Sequence, residues 1–241
     1  MKKALFAICL LIPVTTLAET KLGVIGAKSQ SIYKATDSNS VSLPSISYEG
    51  ENFFLRLPDI GYRFFPRRSF QNVAVGLSYD ASTFDPSEAN DINMRKLDDR
   101  DASVMAFASY RIGFISTKLS QDISGKHDGY SAKIALGFPI PVGMWRIIPS
   151  LSYEFMDSKM SNHLFGVSQK ESTNTGGAIS SYDSGSVSKI QYGVRGVYPI
   201  TTSTNIMLGV SRTKYDDSIL KSPIIERDET TSLLAGVIFS F

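Results

Sequence analysis

A short polar stretch around His127 contains residue types that can hydrolyse esters. Together with its neighbours Asp122, Ser124 and Asp128, His127 offers a nucleophile, a base and an acid that could orient the base. Serine and aspartate are common in any polar loop, however, and nothing nearby indicates a strained turn or an oxyanion site. We therefore favour a solvated loop and predict that the protein is not an enzyme. An enzyme that modifies lipids at a membrane surface is the alternative.

Carboxylates are concentrated in three runs of the chain, which are Asp98-Asp99-Arg100-Asp101, Asp216-Asp217 and Glu226-Arg227-Asp228-Glu229. Hard cations such as calcium take oxygen ligands, so such a cluster could bind a metal. Arginine interrupts two of the runs, and the Asp-x-Asp-x-Asp-Gly pattern of a calcium loop is missing from the sequence. We expect ion pairs that fasten loops to one another, and we predict neither a metal site nor a cofactor.

A second set of charged residues occupies alternate positions within otherwise regular segments. These residues are Lys133, Arg146, Glu154, Lys189 and Arg195. In a β-barrel they would face the interior. An open lumen would make them the lining of a polar, somewhat anion-favouring pore, whereas a filled lumen would pair them with one another and with loop acids. We favour pairing and keep conduction as the alternative.

The segments that carry these charges have a period of two. Between residues 129 and 155, one face carries Tyr130, Ala132, Ile134, Leu136 and Phe138, and after a turn at 139–143 it carries Trp145, Ile147, Pro149, Leu151, Tyr153 and Phe155. Each run has the ~10 residues that a tilted strand needs to cross a bilayer. Aromatic residues lie at both ends of this face, as expected at two membrane interfaces. The pattern predicts transmembrane strands.

Similar but less regular runs cover most of the chain. Alternation is clean at 71–80, 189–198 and 233–241, and weaker at 22–27, 41–48, 115–119 and 206–210. The run at 102–110 does not show which face is inward, and the runs 52–57 and 60–65 form either a tight hairpin or one bent strand. Because proline lacks an N–H group, Pro44 and Pro149 predict bulges or unpaired positions. The sequence predicts an all-β fold, a transmembrane antiparallel up-and-down β-barrel of about twelve strands, with ten as the alternative.

Connections between these runs alternate strictly between long and short, with the longest at 156–186. Outer-membrane barrels have long extracellular loops and short periplasmic turns, which orients the chain. The chain ends in a strand with Phe239 and Phe241. This ending resembles the terminal signal that the barrel-assembly machinery reads, and lipid and lipopolysaccharide are the expected surroundings of the barrel.

The amino terminus has the pattern of a secretory signal. Lys2 and Lys3 precede an apolar run, and small residues end at Ala18. We predict a signal peptide at residues 1–18 and a barrel at 19–241. Cleavage removes the single cysteine, Cys9, and two of 25 basic residues, which leaves 23 basic and 23 acidic residues. A neutral chain without a basic face argues against nucleic acid as a partner.

Several short motifs resemble those of the MltA-interacting protein and OmpV family of outer-membrane proteins. They are Tyr48-Glu49-Gly50-Glu51-Asn52-Phe53, Leu97-Asp98-Asp99-Arg100, Phe165-Gly166-Val167-Ser168 with Lys170-Glu171, Ser222-Pro223-Ile224 with Asp228, and Phe239-Ser240-Phe241. The resemblance spans most of the chain and keeps the order of the family's motifs. It implies a non-enzymatic scaffold that brings a lytic murein transglycosylase together with a bifunctional penicillin-binding protein. A porin-like channel or a surface adhesin is the alternative.

The location of these motifs does not fit that role directly. The predicted topology places them in outer loops, where they would hold loops over the barrel mouth. A murein enzyme must dock from the periplasm, onto turns such as 66–69, 139–143 and 199–203. Arg67 and Arg68 make the first of these turns basic. We therefore expect the family motifs and the docking surface to lie at opposite ends of the barrel.

Overall fold

A closed wall of antiparallel strands is the main feature of the computed structural model, which describes residues 19–241. The predicted signal peptide at residues 1–18 lies outside the described residues. The strands are β1 (Glu19–Ser29), β2 (Asn39–Glu49), β3 (Phe53–Arg56), β4 (Asp59–Arg63), β5 (Gln71–Asp80), β6 (Ser103–Ile112), β7 (Ile115–Asp122), β8 (Tyr130–Gly137), β9 (Ile140–Val142), β10 (Trp145–Met156), β11 (Val187–Pro199), β12 (Thr204–Tyr215) and β13 (Glu229–Ser240).

The sheet closes because β1 pairs with β13 along its length, while β10 pairs with β11. Strands β8 and β9 both pair with β10 and so form one barrel strand. The interruption lies at Phe138 and Pro139, opposite Pro149, which has no N–H to donate. The unpaired position expected at Pro149 is therefore confirmed. The wall has twelve strands in up-and-down order, and the predicted barrel is confirmed.

Strands β3 and β4 form a tight hairpin, which decides the open question about residues 52–65. Arg56 pairs with Asp59, so Leu57 and Pro58 alone make the turn. These two strands have only four and five residues. Their outer connection is shorter than the inner connection at 64–70, so the predicted strict alternation of long and short connections is wrong here. The expectation that all family motifs lie outside is also wrong, because Tyr48–Phe53 crosses the inner end between β2 and β3.

Inward positions near this hairpin carry small residues where strands approach closely. A Cβ atom at Gly76 would lie 2.1 Å from the carbonyl oxygen of Ile60, so only glycine fits there. The register between β5 and β6 settles the facing of β6, because Ser78 pairs with Met105. Met105 and Phe107 are buried and point inward with Ser78. Packing against β5 fixed a facing that the sequence of β6 left open.

The outward faces form an apolar belt around the wall. Large exposed apolar residues recur at every second position, for example at Leu22 and Val24, at Leu119, and at Leu208 and Val210. Exposed apolar surface of this extent is what lipid would cover. Among the helices of residues 19–241, none is both long enough and apolar enough to span a membrane.

Helices occur in the longest outer connection, where the sequence pattern predicts only a loop. Helix α1 (Ser158–Phe165) begins at Asp157, whose carboxylate accepts a hydrogen bond from the Met160 N–H. Helix α2 (Gln169–Asn174) begins with a capping box in which Ser168 and Glu171 bond each other's backbone N–H. The Ser-x-x-Glu spacing at 168–171 was the sequence signal that could have predicted α2.

Candidate functional site

Four outer connections fold together into a compact cap over the barrel mouth. The cap consists of residues 30–38, 81–102, 157–186 and 216–228, and its buried apolar side chains form one cluster with the strand ends Met156 and Val187. The rings of Tyr33 and Phe84 stack with centroids 4.2 Å apart. The Tyr33 hydroxyl donates to the carbonyl of Leu164 over 3.0 Å. The cap therefore has a hydrophobic core of its own.

The family motifs supply the polar framework of the cap. Arg100 and Glu171 are only 6% and 3% exposed, and Arg100 Nη1 lies 2.7 Å from Glu171 Oε1. Arg100 Nη2 also donates to the carbonyl of Gly166 over 2.9 Å. Burial opposes the charge of Glu171, but hydrogen bonds from Ser168 and Arg100 outweigh it and hold the pKa of Glu171 below its ordinary value. This buried ion pair joins the second outer connection to the third.

Other motif residues join the remaining connections. The Ser222 hydroxyl donates to the carbonyl of Phe165 over 2.7 Å, which ties the fourth connection to α1. Leu97 and Val167 are buried in the hydrophobic cluster. The rest lie around them, with Asp98 and Asp99 exposed, Gly166 capping α1, Ser168 capping α2 and Pro223 half-buried. The structure thus places all nine motif residues proposed from the sequence in one cap.

The polar loop around His127 is held together by Asp122. Its carboxylate accepts hydrogen bonds from the backbone N–H groups of Ser124, His127 and Asp128. The Ser124 hydroxyl donates to Asp122 Oδ1 over 2.7 Å, whereas His127 Nδ1 accepts from the Gly129 N–H over 2.9 Å. Burial lowers the pKa of His127. These bonds build a loop, and they do not connect Ser124 to His127 as the predicted nucleophile and base would require.

The three carboxylate runs form ion pairs, as expected. Asp101 pairs with Lys126 over 2.6 Å, and Asp98 lies 3.5 Å from Lys170. Farther along the chain, Glu229 pairs with Arg212, and Lys214 lies between Asp217 and Asp228. Within residues 19–241, no three histidine, aspartate or glutamate side chains come together as a candidate metal site.

All five charged residues that the sequence pattern placed inward face the lumen in the observed register. Glu154 lies between two lysines, 3.6 Å from the Lys133 ammonium and 3.5 Å from that of Lys189. Arg146 and Arg195 are exposed to the lumen and form no ion pair with the residues that the structure describes. Of these five residues, three therefore form one paired cluster and two are cations without an ion pair.

Sequence reasoning missed a second ionic cluster at the inner end of the lumen. Glu49 accepts from Arg56 Nε over 2.7 Å and from Arg63 Nη1 over 2.9 Å. Farther out, the Lys118 ammonium lies 2.8 Å from Asp59 at the tip of the β3–β4 hairpin. Because the sequence does not decide how residues 52–65 pair, it does not show whether Arg56, Asp59 and Arg63 face the lumen. Lys118 could have been found, because it alternates with residues that face outward.

Three cavities follow one another from the cap to the periplasmic end, with volumes of about 350, 400 and 630 Å³. The first two share Ser82 and Lys189. The second and third share Asp59, Ser116 and Lys118. Ionic side chains therefore separate the cavities, and the interior is only partly filled by side chains.

A family model described as MltA-interacting protein MipA matches residues 22–241. The chain belongs to this family. YiaT of Escherichia coli K12, named as an outer membrane protein, is 25% identical over 99% of this chain and 97% of its own length. The MltA-interacting protein of Escherichia coli K12 is 23% identical over 87% of this chain and 85% of that protein.

A third member named as an outer membrane protein, OmpV of Vibrio cholerae serotype O1, is 26% identical over 92% of this chain and 85% of its own length. Among solved structures, the COG4313 outer membrane channel from Pseudomonas putida F1 is 8% identical, covers 95% of this chain and 97% of that chain, and gives a TM-score of 0.43. The family resemblance predicted from the motifs is confirmed, and the protein is an outer-membrane barrel of this family.

The buried ion pair of the cap gives a direct test of what the family motifs do. Replacing Arg100 with Met leaves the Glu171 carboxylate buried without its cation, a change that typically costs about 3–5 kcal/mol. We expect proteinase K to cleave the cap of R100M in lipid vesicles within minutes, while the strands stay intact. Lys170→Met removes only an exposed pair and should leave cleavage unchanged. Equal resistance of R100M and the unaltered protein would show that the pair does not hold the cap.

Proposed function

We propose that this protein is a scaffold that binds a periplasmic murein enzyme at the inner end of its barrel. A relative named MltA-interacting protein supports a lytic transglycosylase as the partner. A penicillin-binding protein would be the second enzyme brought to the same place. The observation that carries the proposal is the composition of the inner connections, because a docking protein must touch these turns.

The inner connections expose large apolar and cationic side chains. Residues 64–70 form the longest of them. Here Phe70 is 73% exposed, Phe65 is also exposed, and Arg68, between them in the sequence, is exposed as well. Phe114 and Met144 are exposed on neighbouring turns. Aromatic residues, methionine and arginine are the residue types that protein interfaces concentrate.

The two arginines of this connection have different surroundings. Arg67 pairs with Glu19 and also donates to the carbonyl of Glu49, so it belongs to the barrel rim. Arg68 forms no ion pair with any residue among 19–241 and is exposed. Changing Arg67 would disturb the rim itself, whereas Arg68 is available to a partner.

Charge reversal at the available arginine tests the scaffold. We expect Arg68→Glu to weaken retention of a purified lytic transglycosylase on detergent-solubilised protein by about fivefold, because a rim charge pair is worth roughly 1 kcal/mol. Lys170→Glu, in the cap at the opposite end, should retain the enzyme fully. Absence of retention by the unaltered protein at low salt, or equal loss in both variants, would contradict the proposal.

A second function is favoured by the two unpaired arginines of the lumen. Arg146 and Arg195 lie on adjacent strands, where Arg195 pairs in register with Ile148, two positions from Arg146. Together with Arg111, whose guanidinium bonds only carbonyl oxygens, they make the inner half of the lumen basic. A basic lining attracts small anions. Passage of such anions along the three cavities is therefore the alternative function.

Reversing these charges tests conduction. We expect the unaltered protein in a planar bilayer to pass chloride in preference to potassium, and Arg146→Glu with Arg195→Glu to reverse that preference. Lys28→Glu changes an exposed charge on the outward face of β1 and should preserve it. This function would be contradicted if the unaltered protein gave no stepwise conductance in the bilayer. It would also be contradicted if the double variant kept the preference for chloride over potassium.

A further inference from the structure

The short β3–β4 hairpin leaves a notch in the outer half of the wall. Strand β2 pairs with β1 from Asn39 to Glu49, but it pairs with β3 only from Ser47 to Glu49. The hairpin tip ends where the Leu57 N–H donates to the carbonyl of Ile46. Residues 39–45 of β2 thus have no strand on this side. The notch is the gap between these residues and the outer end of β5.

The edge of β2 at the notch has unpaired backbone groups. Because the Ile46 carbonyl points to the hairpin, the backbone groups of every second residue, Pro44, Ser42 and Ser40, point into the notch. Pro44 has no N–H to leave unpaired, which confirms the unpaired position expected there. Across residues 19–241, no group bonds the backbone of Ser40 or Ser42 on this side. Hydrocarbon alone cannot cover such an edge without cost, so something with polar groups must lie there.

The lumen side of the notch is apolar. Val41 and Leu43 share the face of Glu49, which lies in the lumen, and they are 40% and 59% exposed. In register beside them on the same face are Ala27 and Ile25 of β1. Leu234 of β13 pairs with Ala27 and extends the patch. A lumen filled only with water would leave this apolar surface uncovered.

The floor of the notch is fixed by a polar contact. Asp59, at the hairpin tip, accepts from the Ser78 hydroxyl over 2.6 Å and from the Lys118 ammonium over 2.8 Å. Directly behind this contact lies the cavity of about 400 Å³. These bonds fasten the hairpin tip to β5 and β7. Pro58 and Tyr79 line this cavity, so it reaches the hairpin tip at the floor of the notch.

We propose that the notch is a lateral opening that admits a hydrocarbon chain of a lipid from the outer half of the membrane. The chain lies against Val41, Leu43 and Ile25 inside the barrel. Its polar ester and head groups stay at the edge, where the backbone and hydroxyls of Ser40 and Ser42 bond them. A membrane lipid fits because it is the one molecule that presents both chemistries at this height. Water in the gap would hydrogen-bond to the unpaired backbone groups of the edge, but it would leave the apolar patch without an apolar partner.

Photo-crosslinking from single cysteines tests the opening, since residues 19–241 contain no cysteine. Each variant is labelled with benzophenone maleimide, placed in vesicles of dioleoyl phosphatidylglycerol, irradiated and analysed for lipid adducts by mass spectrometry. Leu43→Cys and Ser211→Cys both face the lumen, and each lies four residues inside the outer end of its strand, at Asn39 and Tyr215 respectively. Ser42→Cys and Val210→Cys face outward beside them.

We expect lipid adducts at residues 42, 43 and 210 and none at 211, because only the notch admits lipid to the inner face. Adducts at 42 and 210 alone would overturn the proposal. Adducts at 211 as well would show that lipid enters through the mouth, which also overturns it. Lengthening the β3–β4 hairpin on both strands should abolish the adduct at 43 and preserve that at 210. Heat-dependent migration on gels shows whether each variant has folded.

Discussion

Pairing of every backbone group within the protein is the constraint on which this structure depends. Inside a membrane, an unpaired N–H or C=O group has no water to bond, so the strands must close into a wall. The seam between β1 and β13 completes that closure. The β3–β4 hairpin is the one place in the described wall where two strands stop short, and there the exposed edge carries Pro44 and serines. Even at this exception, proline leaves no N–H group unpaired at its position, and the serines add hydroxyl groups to the edge.

The cap is stabilised by different interactions from the wall, because water covers the outside of the cap. Its apolar cluster supplies the driving force for folding, and the buried pair of Arg100 and Glu171 fixes how the connections meet. A buried ion pair adds little net stability, yet losing one partner is costly. The motif residues of the cap therefore specify one arrangement of the connections. The proposed docking at the inner end and the proposed lipid entry at the notch involve other residues than this polar framework.

The barrel was predictable from the sequence, because alternation along β8, β10 and β11 states which side chains face lipid. The five lumen charges followed from the same alternation. The notch was not predictable, since residues 52–65 fit either a tight hairpin or one bent strand, and Asp59 at the hairpin tip contacts residues that are distant in sequence. The cap contacts were equally hidden, because they join loops far apart in sequence. Only the capping box at Ser168 gave a local signal for the helices there.

Hydrogen exchange of the protein in lipid vesicles tests the closed wall most directly. The account predicts that amides of residues 22–28 and 233–239, on the two sides of the seam, exchange as slowly as those in the middle of β11 and β12. The Ser40 and Ser42 amides, which have no backbone partner on the notch side within residues 19–241, should exchange faster than the paired amides of the same strand. Exchange at the seam as fast as in the outer connections would show that β1 and β13 do not pair, and the closed barrel would be contradicted.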